Sequence, residues 1–149
     1  REYMEQYPDK QGVLFVLDVD NFKKINDTMG HAFGDEVLRN LAVRLQSMFR
    51  ATDIVGRTGG DEFMVFLKDI RDITMIEREG KKIEQFFHQF EVGEYVKYSV
   101  TASVGAAVFP RDGRTFENLY KSADNALYVS KRRGKNQLTF YKKPEKETQ

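Results

Sequence analysis

Asp53-Ile54-Val55-Gly56-Arg57-Thr58-Gly59-Gly60-Asp61-Glu62-Phe63-Met64-Val65-Phe66-Leu67 reads as two strand-forming runs joined by a pair of glycines. Gly59-Gly60 suits a two-residue hairpin turn, whose central positions take φ > 0. Asp61 and Glu62 follow the turn at once, so a loop that bares its backbone also presents two carboxylates. Such a turn suits a metal ion and a phosphate. The same residues suit an ordinary hairpin with a polar tip, and the hairpin alone does not separate the two.

Upstream, Gln11 to Asp20 holds five consecutive apolar residues bounded by glycine, which predicts a strand buried on both faces. It ends in Asp18 and Asp20, whose i, i+2 spacing sets them on one face. Asn21 to Gly30 reads as a short helix or turn. Asp35 is placed to cap a helix to about Arg50, with Val37, Leu38, Leu41 and Leu45 at helical spacing. Downstream, Asp72 is placed to cap a helix to about Phe90, and His88 falls near its stripe as a structural residue. Tyr95 to Phe109 reads as one long strand or a strand broken near Gly93. Pro110 to Gly113 is a turn, Thr115 caps a helix ended by Gly134, and Gln137 to Tyr141 is a last strand. Arg1 to Lys10 reads as a helix end and link, and 142–149 as a frayed tail. The order β-α-α-β-β-α-β-α-β around a central hairpin predicts an α/β (α+β) sandwich. Its sheet is mostly antiparallel and flanked by helices, nearest to the ferredoxin-like pattern.

A chain of 149 residues fits one domain over 1–149 with a full core, and twelve Phe and seven Tyr supply it. A net charge of +1 shows no basic excess and so gives no argument for a nucleic-acid surface; no nucleic-acid partner is expected. The absence of cysteine excludes disulfides and thiol chemistry and is compatible with the cytoplasm. No apolar run approaches the roughly 20 residues of a membrane helix, so this segment predicts no membrane contact. No signal peptide is visible, and an opening at Arg1 rather than Met reads as a piece of a longer protein.

If the first strand and the hairpin are neighbours, Asp18, Asp20, Asp61 and Glu62 converge. Crowded carboxylates raise one another's pKa unless a cation lies between them. Hard oxygen ligands select Mg²⁺, and two such ions can clamp a phosphoryl transfer. Each acid also fits a solvated strand end. Asn26 and Asp35 can together read a guanine edge, with His31 and Gly34 beside them; a turn residue, a helix cap and a packing histidine are the plainer readings. Lys23, Lys131 and Lys135 can meet a triphosphate as point charges, and a helix end with ordinary surface cations has the same residues. Arg50 and Asp53, three apart, also fit a strand cap.

These residues form an ordered set. Asp18-Val19-Asp20-Asn21-Phe22-Lys23-Lys24-Ile25-Asn26-Asp27, Gly30-His31-x-x-Gly34-Asp35, Arg57-x-Gly59-Gly60-Asp61-Glu62-Phe63, Ser103-Val104-Gly105, Ala123-Asp124-x-Ala126-Leu127-Tyr128 and Lys131-x-x-Gly134-Lys135-Asn136 resemble the GGDEF domains of bacterial diguanylate cyclases. The resemblance runs from about Gly12 to Tyr141. It implies the palm-like nucleotidyl-cyclase version of the fold and a reaction: two GTP condense to cyclic di-GMP and two pyrophosphates, across a homodimer in which each domain holds one GTP. It implies Mg²⁺, or Mn²⁺ in its place, on Asp18, the Val19 carbonyl and Asp61, with Asp61 as the base and Glu62 assisting the metals. Asn26 and Asp35 correspond to the guanine readers, with His31 nearby. Phe22, Lys23, Lys131 and Lys135 correspond to the phosphate grip, and Gly59 and Gly60 let the backbone approach the nucleotide. Arg50-x-x-Asp53 corresponds to the inhibitory product site, where the arginine stacks on and forks to guanine and the aspartate accepts from it.

Two departures stand out. Lys135 replaces a more usual arginine, and the family's leading Asp-x-Leu-Thr-Gly-Leu-x-Asn-Arg segment is absent apart from Arg1. The resemblance further implies a bacterial, cytoplasmic signalling protein whose sensor domains, and any membrane anchor, lie outside this segment. A catalytically silent module that binds GTP or cyclic di-GMP and acts through a partner is the alternative. Intact hairpin glycines and acids argue against it. Asp35 argues against an adenine dinucleotide, which offers a carboxylate no N1–H.

Overall fold

The structure is a computed structural model that describes residues 10–50 and 53–144. The helix end expected before Lys10 and the tail beyond Pro144 lie outside the described residues. Eleven described elements follow in order: β1 (Gln11–Val19), α1 (Phe22–Met29), α2 (His31–Met48), β2 (Ile54–Gly59), β3 (Glu62–Ile70), α3 (Ile73–His88), β4 (Glu91–Val92), β5 (Tyr98–Ser99), β6 (Ala102–Phe109), α4 (Phe116–Arg132) and β7 (Leu138–Phe140).

The main sheet has the order β2-β3-β1-β6-β7, with β1 at its centre. β1 is antiparallel to β3 and β6, β2 is antiparallel to β3, and β7 alone runs parallel to its neighbour. The expected mostly antiparallel sheet flanked by helices is therefore present. Both faces of β1 are covered, which is why its apolar run is continuous: Val13 through Leu17 have no exposed surface. Val13, Phe15 and Leu17 pack with Val37, Leu41 and Leu45 of α2 and Ile76, Ile83 and Phe87 of α3. Leu14 and Val16 pack with Leu119, Ala123 and Leu127 of α4. Strand alternation then dictates that Asp18, in step with Leu14 and Val16, turns toward α4.

Asp72 and Thr115 cap their helices as expected, accepting from the Met75 and Asn118 N–H groups at 3.1 and 3.2 Å. Three expectations change. α2 begins at His31 rather than after Asp35, because Gly30 (φ 92) alone makes the turn from α1 and the chain re-enters helix at once; Asp35 lies in the second turn and caps nothing. Of the two readings of Tyr95 to Phe109 the single strand fails, and the chain is broken, with Gly93 (φ 133) in the link that follows β4. β4 and β5 form a separate two-stranded sheet, and the link between them leaves Tyr95 and Val96 93% and 78% exposed. The hairpin turn is centred on Gly60-Asp61 rather than Gly59-Gly60. Gly59 opposes Glu62 across the ladder after a register shift, and only Gly60 of the pair has positive φ, at 24°. No described helix is long and apolar enough to cross a membrane.

Candidate active site

β1 ends where β3 begins, and Asp18 is the direct Cα partner of Glu62. The two carboxylates therefore stand side by side beneath α4. Asp61 occupies the turn just before, its carbonyl accepting from the Val19 N–H at 3.2 Å. Arg57 Nε donates to the Gly60 carbonyl at 2.8 Å and braces the tip. Asp18 and Glu62 thus meet across the ladder, and Asp61 lies near enough for its charge to act on Asp18.

The convergence expected of the strand-end and hairpin acids does not extend to Asp20. That carboxylate is 7% exposed and accepts from Thr101 Oγ1 (2.7 Å), Ser103 Oγ (2.6 Å) and the Asn136 N–H (2.9 Å). Both oxygens are satisfied, so Asp20 ties the end of β1 to β6 and to the 133–137 turn instead of joining the acids. In that turn Lys135 adopts φ 65° and its ammonium donates to Asn21 Oδ1 at 2.8 Å. Lys135 is thereby held at the start of α1, one residue from Phe22 and two from Lys23, both on the first turn of that helix.

α4 completes the acidic group. Lys131 pairs with Asp18 Oδ2, and Asp18 Oδ1 is buried with no hydrogen-bond partner. Burial pushes the Asp18 carboxyl above its ordinary value; Lys131 pulls it down, and the charges of Asp61 and Glu62 push it up again. Desolvation acts to lower Lys131, but its hydrogen bond and charge attraction to Asp18 prevail and hold the ammonium above its usual value. Glu62 Oε1 accepts from Thr58 Oγ1 at 2.7 Å and from the Tyr120 hydroxyl at 2.6 Å. Burial, then Glu62, keep the Tyr120 phenol protonated well beyond its ordinary range. Thr58 and Tyr120 went unread in the sequence. Tyr120 sits in the apolar stripe of α4, and the available signal was that a half-buried tyrosine needs a partner for its hydroxyl.

Among the described residues no three His, Cys, Asp or Glu side chains gather closely enough to hold a metal on their own. A divalent ion here would draw on Asp18, Asp61 and the Val19 carbonyl, an all-oxygen set. The orphaned, desolvated Asp18 Oδ1 is the observation that fits such an ion, because a carboxylate in that state gains most from a hard cation.

The base-reading candidates lie across α1 and α2. Asn26 is half-buried, and its Oδ1 has no partner. It rests on Gly34, where a Cβ would stand only 1.8 Å from Asn26 Oδ1. Asp35 follows Gly34 directly, and both Asp35 and His31 are exposed. Arg50 and Asp53 are not part of this site: they lie at the far end of β2 from Gly59, about 20 Å away for six strand residues. Asp53 is 3% exposed, and its oxygens accept from the Arg50 N–H (3.1 Å), Nε (3.4 Å) and Nη2 (3.3 Å) and the Lys68 N–H (3.4 Å). Asp53 is thus occupied in holding Arg50, whose side chain is 61% exposed. His88 is exposed at the end of α3 rather than in its stripe.

A profile described as "Diguanylate cyclase, GGDEF domain" matches residues 2–137. Diguanylate cyclase DosC of Escherichia coli K12 is 38% identical over 132 residues, 87% of this chain and 28% of that protein, so the chain spans under a third of that relative. The crystal structure of the GGDEF domain of PA1120 (YfiN or TpbB) from Pseudomonas aeruginosa superposes with TM-score 0.89 at 30% identity, covering 96% of this chain and 91% of that one. The active GGEEF domain of a diguanylate cyclase from Vibrio cholerae gives TM-score 0.86 at 29% identity, covering 97% and 92%.

Proposed function

Because this chain belongs to the GGDEF family of diguanylate cyclase domains, we propose that it condenses two GTP into cyclic di-GMP. Each domain of a homodimer holds one nucleotide. The 3′-oxygen of one GTP bonds to the α-phosphorus of the other, the bond from that phosphorus to the β-phosphate bridging oxygen breaks, and pyrophosphate leaves. A second, symmetric step closes the ring. The observation that carries this reading is the Asp18–Glu62 register pair with Asp61 at the adjoining turn and a desolvated Asp18 oxygen without a partner.

Asp18, Asp61 and the Val19 carbonyl would hold Mg²⁺, which when bound neutralises phosphate charge and favours ionisation of the attacking hydroxyl. Asp61 is the group to accept that proton. Lys131 and Lys135 flank the strand end from two sides and supply positive charge for the phosphates, with Lys23 and Phe22 on the first turn of α1. Asn26 and Asp35 read the guanine, the first through its side-chain amide and the second as an exposed acceptor, with His31 beside them. Gly59 and Gly60 leave the turn open to the nucleotide. Product returns to Arg50, presented outward by Asp53, and inhibits.

The test is a dimer forced by a fused coiled coil, incubated with GTP and Mg²⁺, with the products identified by mass. Cyclic di-GMP and pyrophosphate are expected, and Asp61→Ala is expected to yield neither. GTP recovered intact from the forced dimer, or a linear product alone, would overturn the reading.

A further inference from the structure

The Asp18–Glu62 pair poses a sorting problem. Two carboxylates stand opposite each other on neighbouring strands, and one lysine, Lys131, descends on them from α4. Lys131 pairs with Asp18 and not with Glu62. The reason lies eleven residues earlier on the same helix. Eleven residues make about three α-helical turns, so Tyr120 and Lys131 project from the same side of α4. Tyr120 takes Glu62 while Lys131 takes Asp18.

The grip on Glu62 is specific. Two hydroxyls converge on the single oxygen Oε1, Thr58 from the hairpin arm at 2.7 Å and Tyr120 from the helix at 2.6 Å. Charge-assisted O–H···O⁻ bonds of this length are among the stronger ones available to a side chain. Thr58 moves with the hairpin, so it holds Glu62 only relative to its own loop. Tyr120 belongs to a helix packed on the opposite strands through Leu119, Ala123 and Leu127. It is therefore Tyr120 that fixes the hairpin carboxylate relative to β1.

We infer that Tyr120 is a positioning residue of the nucleotide site: by holding Glu62 it keeps Glu62 from competing for Lys131 or turning onto Asp18, and so sets the strength with which Asp18 and Asp61 take a divalent cation. This inference rests on the proposed nucleotide-binding role of the site. Without the hydroxyl, Glu62 keeps only the Thr58 bond, which moves with the hairpin, and can turn toward the cation site or draw Lys131 away; sub-ångström placement at such a site is what its supporting residues provide.

The experiment is a Mg²⁺ titration of the chain in the presence of a fixed, saturating amount of an α,β-methylene GTP analogue, followed by calorimetry, for the wild type and Tyr120→Phe. Loss of a supporting residue commonly weakens metal binding by about 10- to 100-fold, and Tyr120→Phe is expected to raise the half-saturating Mg²⁺ concentration by roughly tenfold, near the lower bound, with a smaller effect on analogue affinity once Mg²⁺ is saturating. Thr58→Ala, which removes the other donor to the same oxygen, is expected to shift the Mg²⁺ midpoint in the same direction. A purely structural tyrosine would move both quantities together or neither, and either result overturns the inference. A wild-type chain that shows no Mg²⁺-dependent binding overturns the nucleotide reading as well, whereas normal wild-type binding with an unmoved Tyr120→Phe midpoint overturns this inference alone.

Discussion

Lys131 reaches from the last turn of α4 to Asp18 Oδ2 at the end of β1, while the other Asp18 oxygen is buried and unpartnered. The lysine therefore neutralises half of a group that remains desolvated. Replacing it by methionine keeps the aliphatic stem and removes the charge. The Lys131 side chain is 42% exposed, so the expected loss is modest, about 1 kcal/mol, or roughly 2–4 °C in Tm for a chain of this size. Mg²⁺ is expected to raise the Tm of Lys131→Met more than that of the wild type, because it supplies the missing charge. Thermal unfolding with and without Mg²⁺ checks this; a variant indifferent to Mg²⁺ would remove Asp18 from the cation site.

The neighbourhood of Asn26 allows a steric test. Gly34→Ala puts a methyl where Asn26 Oδ1 now lies, 1.8 Å from the new Cβ. Alanine is favoured over glycine by about 0.5–1 kcal/mol within a helix, so the fold tolerates the change only if Asn26 swings away. GTP-analogue affinity is expected to fall by at least about tenfold, the cost of one lost charged or paired hydrogen bond. In an Asn26→Ala background the same substitution is expected to leave affinity unaltered and raise the Tm. Calorimetry on the four combinations settles it: an equal drop in both backgrounds would show that Asn26 does not touch the nucleotide.

How much of this was legible beforehand follows from the kind of signal each residue carries. β1 was readable because a buried central strand must be apolar on both faces, and the caps at Asp72 and Thr115 because a cap is a local event. Asp20 was misread because its partners, Thr101, Ser103 and the Asn136 N–H, lie more than 80 residues away in sequence. Nothing in the i, i+2 spacing says that one acid faces a cation site and the other is consumed by a tie between strands. Asp35 looked like a cap because a one-glycine turn at Gly30 cannot be inferred from composition. Tyr120 is silent in the sequence because its ring packs with the apolar side of α4; its hydroxyl becomes informative only with Glu62 beneath it.

Arg50 and Asp53 form a unit in which the buried member holds the exposed one. Arg50→Ala removes the guanidinium from an almost fully buried carboxylate and leaves it the backbone N–H groups of residue 50 and Lys68 as donors. The expected destabilisation is about 1.5–3 kcal/mol, the worth of hydrogen bonding to a charged partner. Arg50→Lys keeps the charge but not the fork, so it is expected to cost less stability while still losing inhibition by cyclic di-GMP. Paired Tm and inhibition curves test this on the forced dimer. If Arg50→Ala is inhibited like the parent, the product acts elsewhere.

Tyr120 also leaves a signature at high pH. Its phenol is raised above the ordinary 10.0 in the folded chain, first by burial and then by the Glu62 hydrogen bond and charge. The folded state therefore holds this proton more tightly than the unfolded state does, and stability falls with pH wherever the folded state carries the extra proton. The contribution is fully present below pH 10 and is lost as the pH rises beyond it. Tyr120→Phe lacks the ionisable proton, so its Tm is expected to be lower than that of the wild type at pH 8 and to decline less steeply between pH 10 and 11. The other tyrosines and the lysines titrate in both proteins and cancel in the difference. Parallel Tm-against-pH curves would show the gap narrowing through the alkaline range; a gap of constant width would mean that the Tyr120 hydroxyl does not donate to Glu62 in solution.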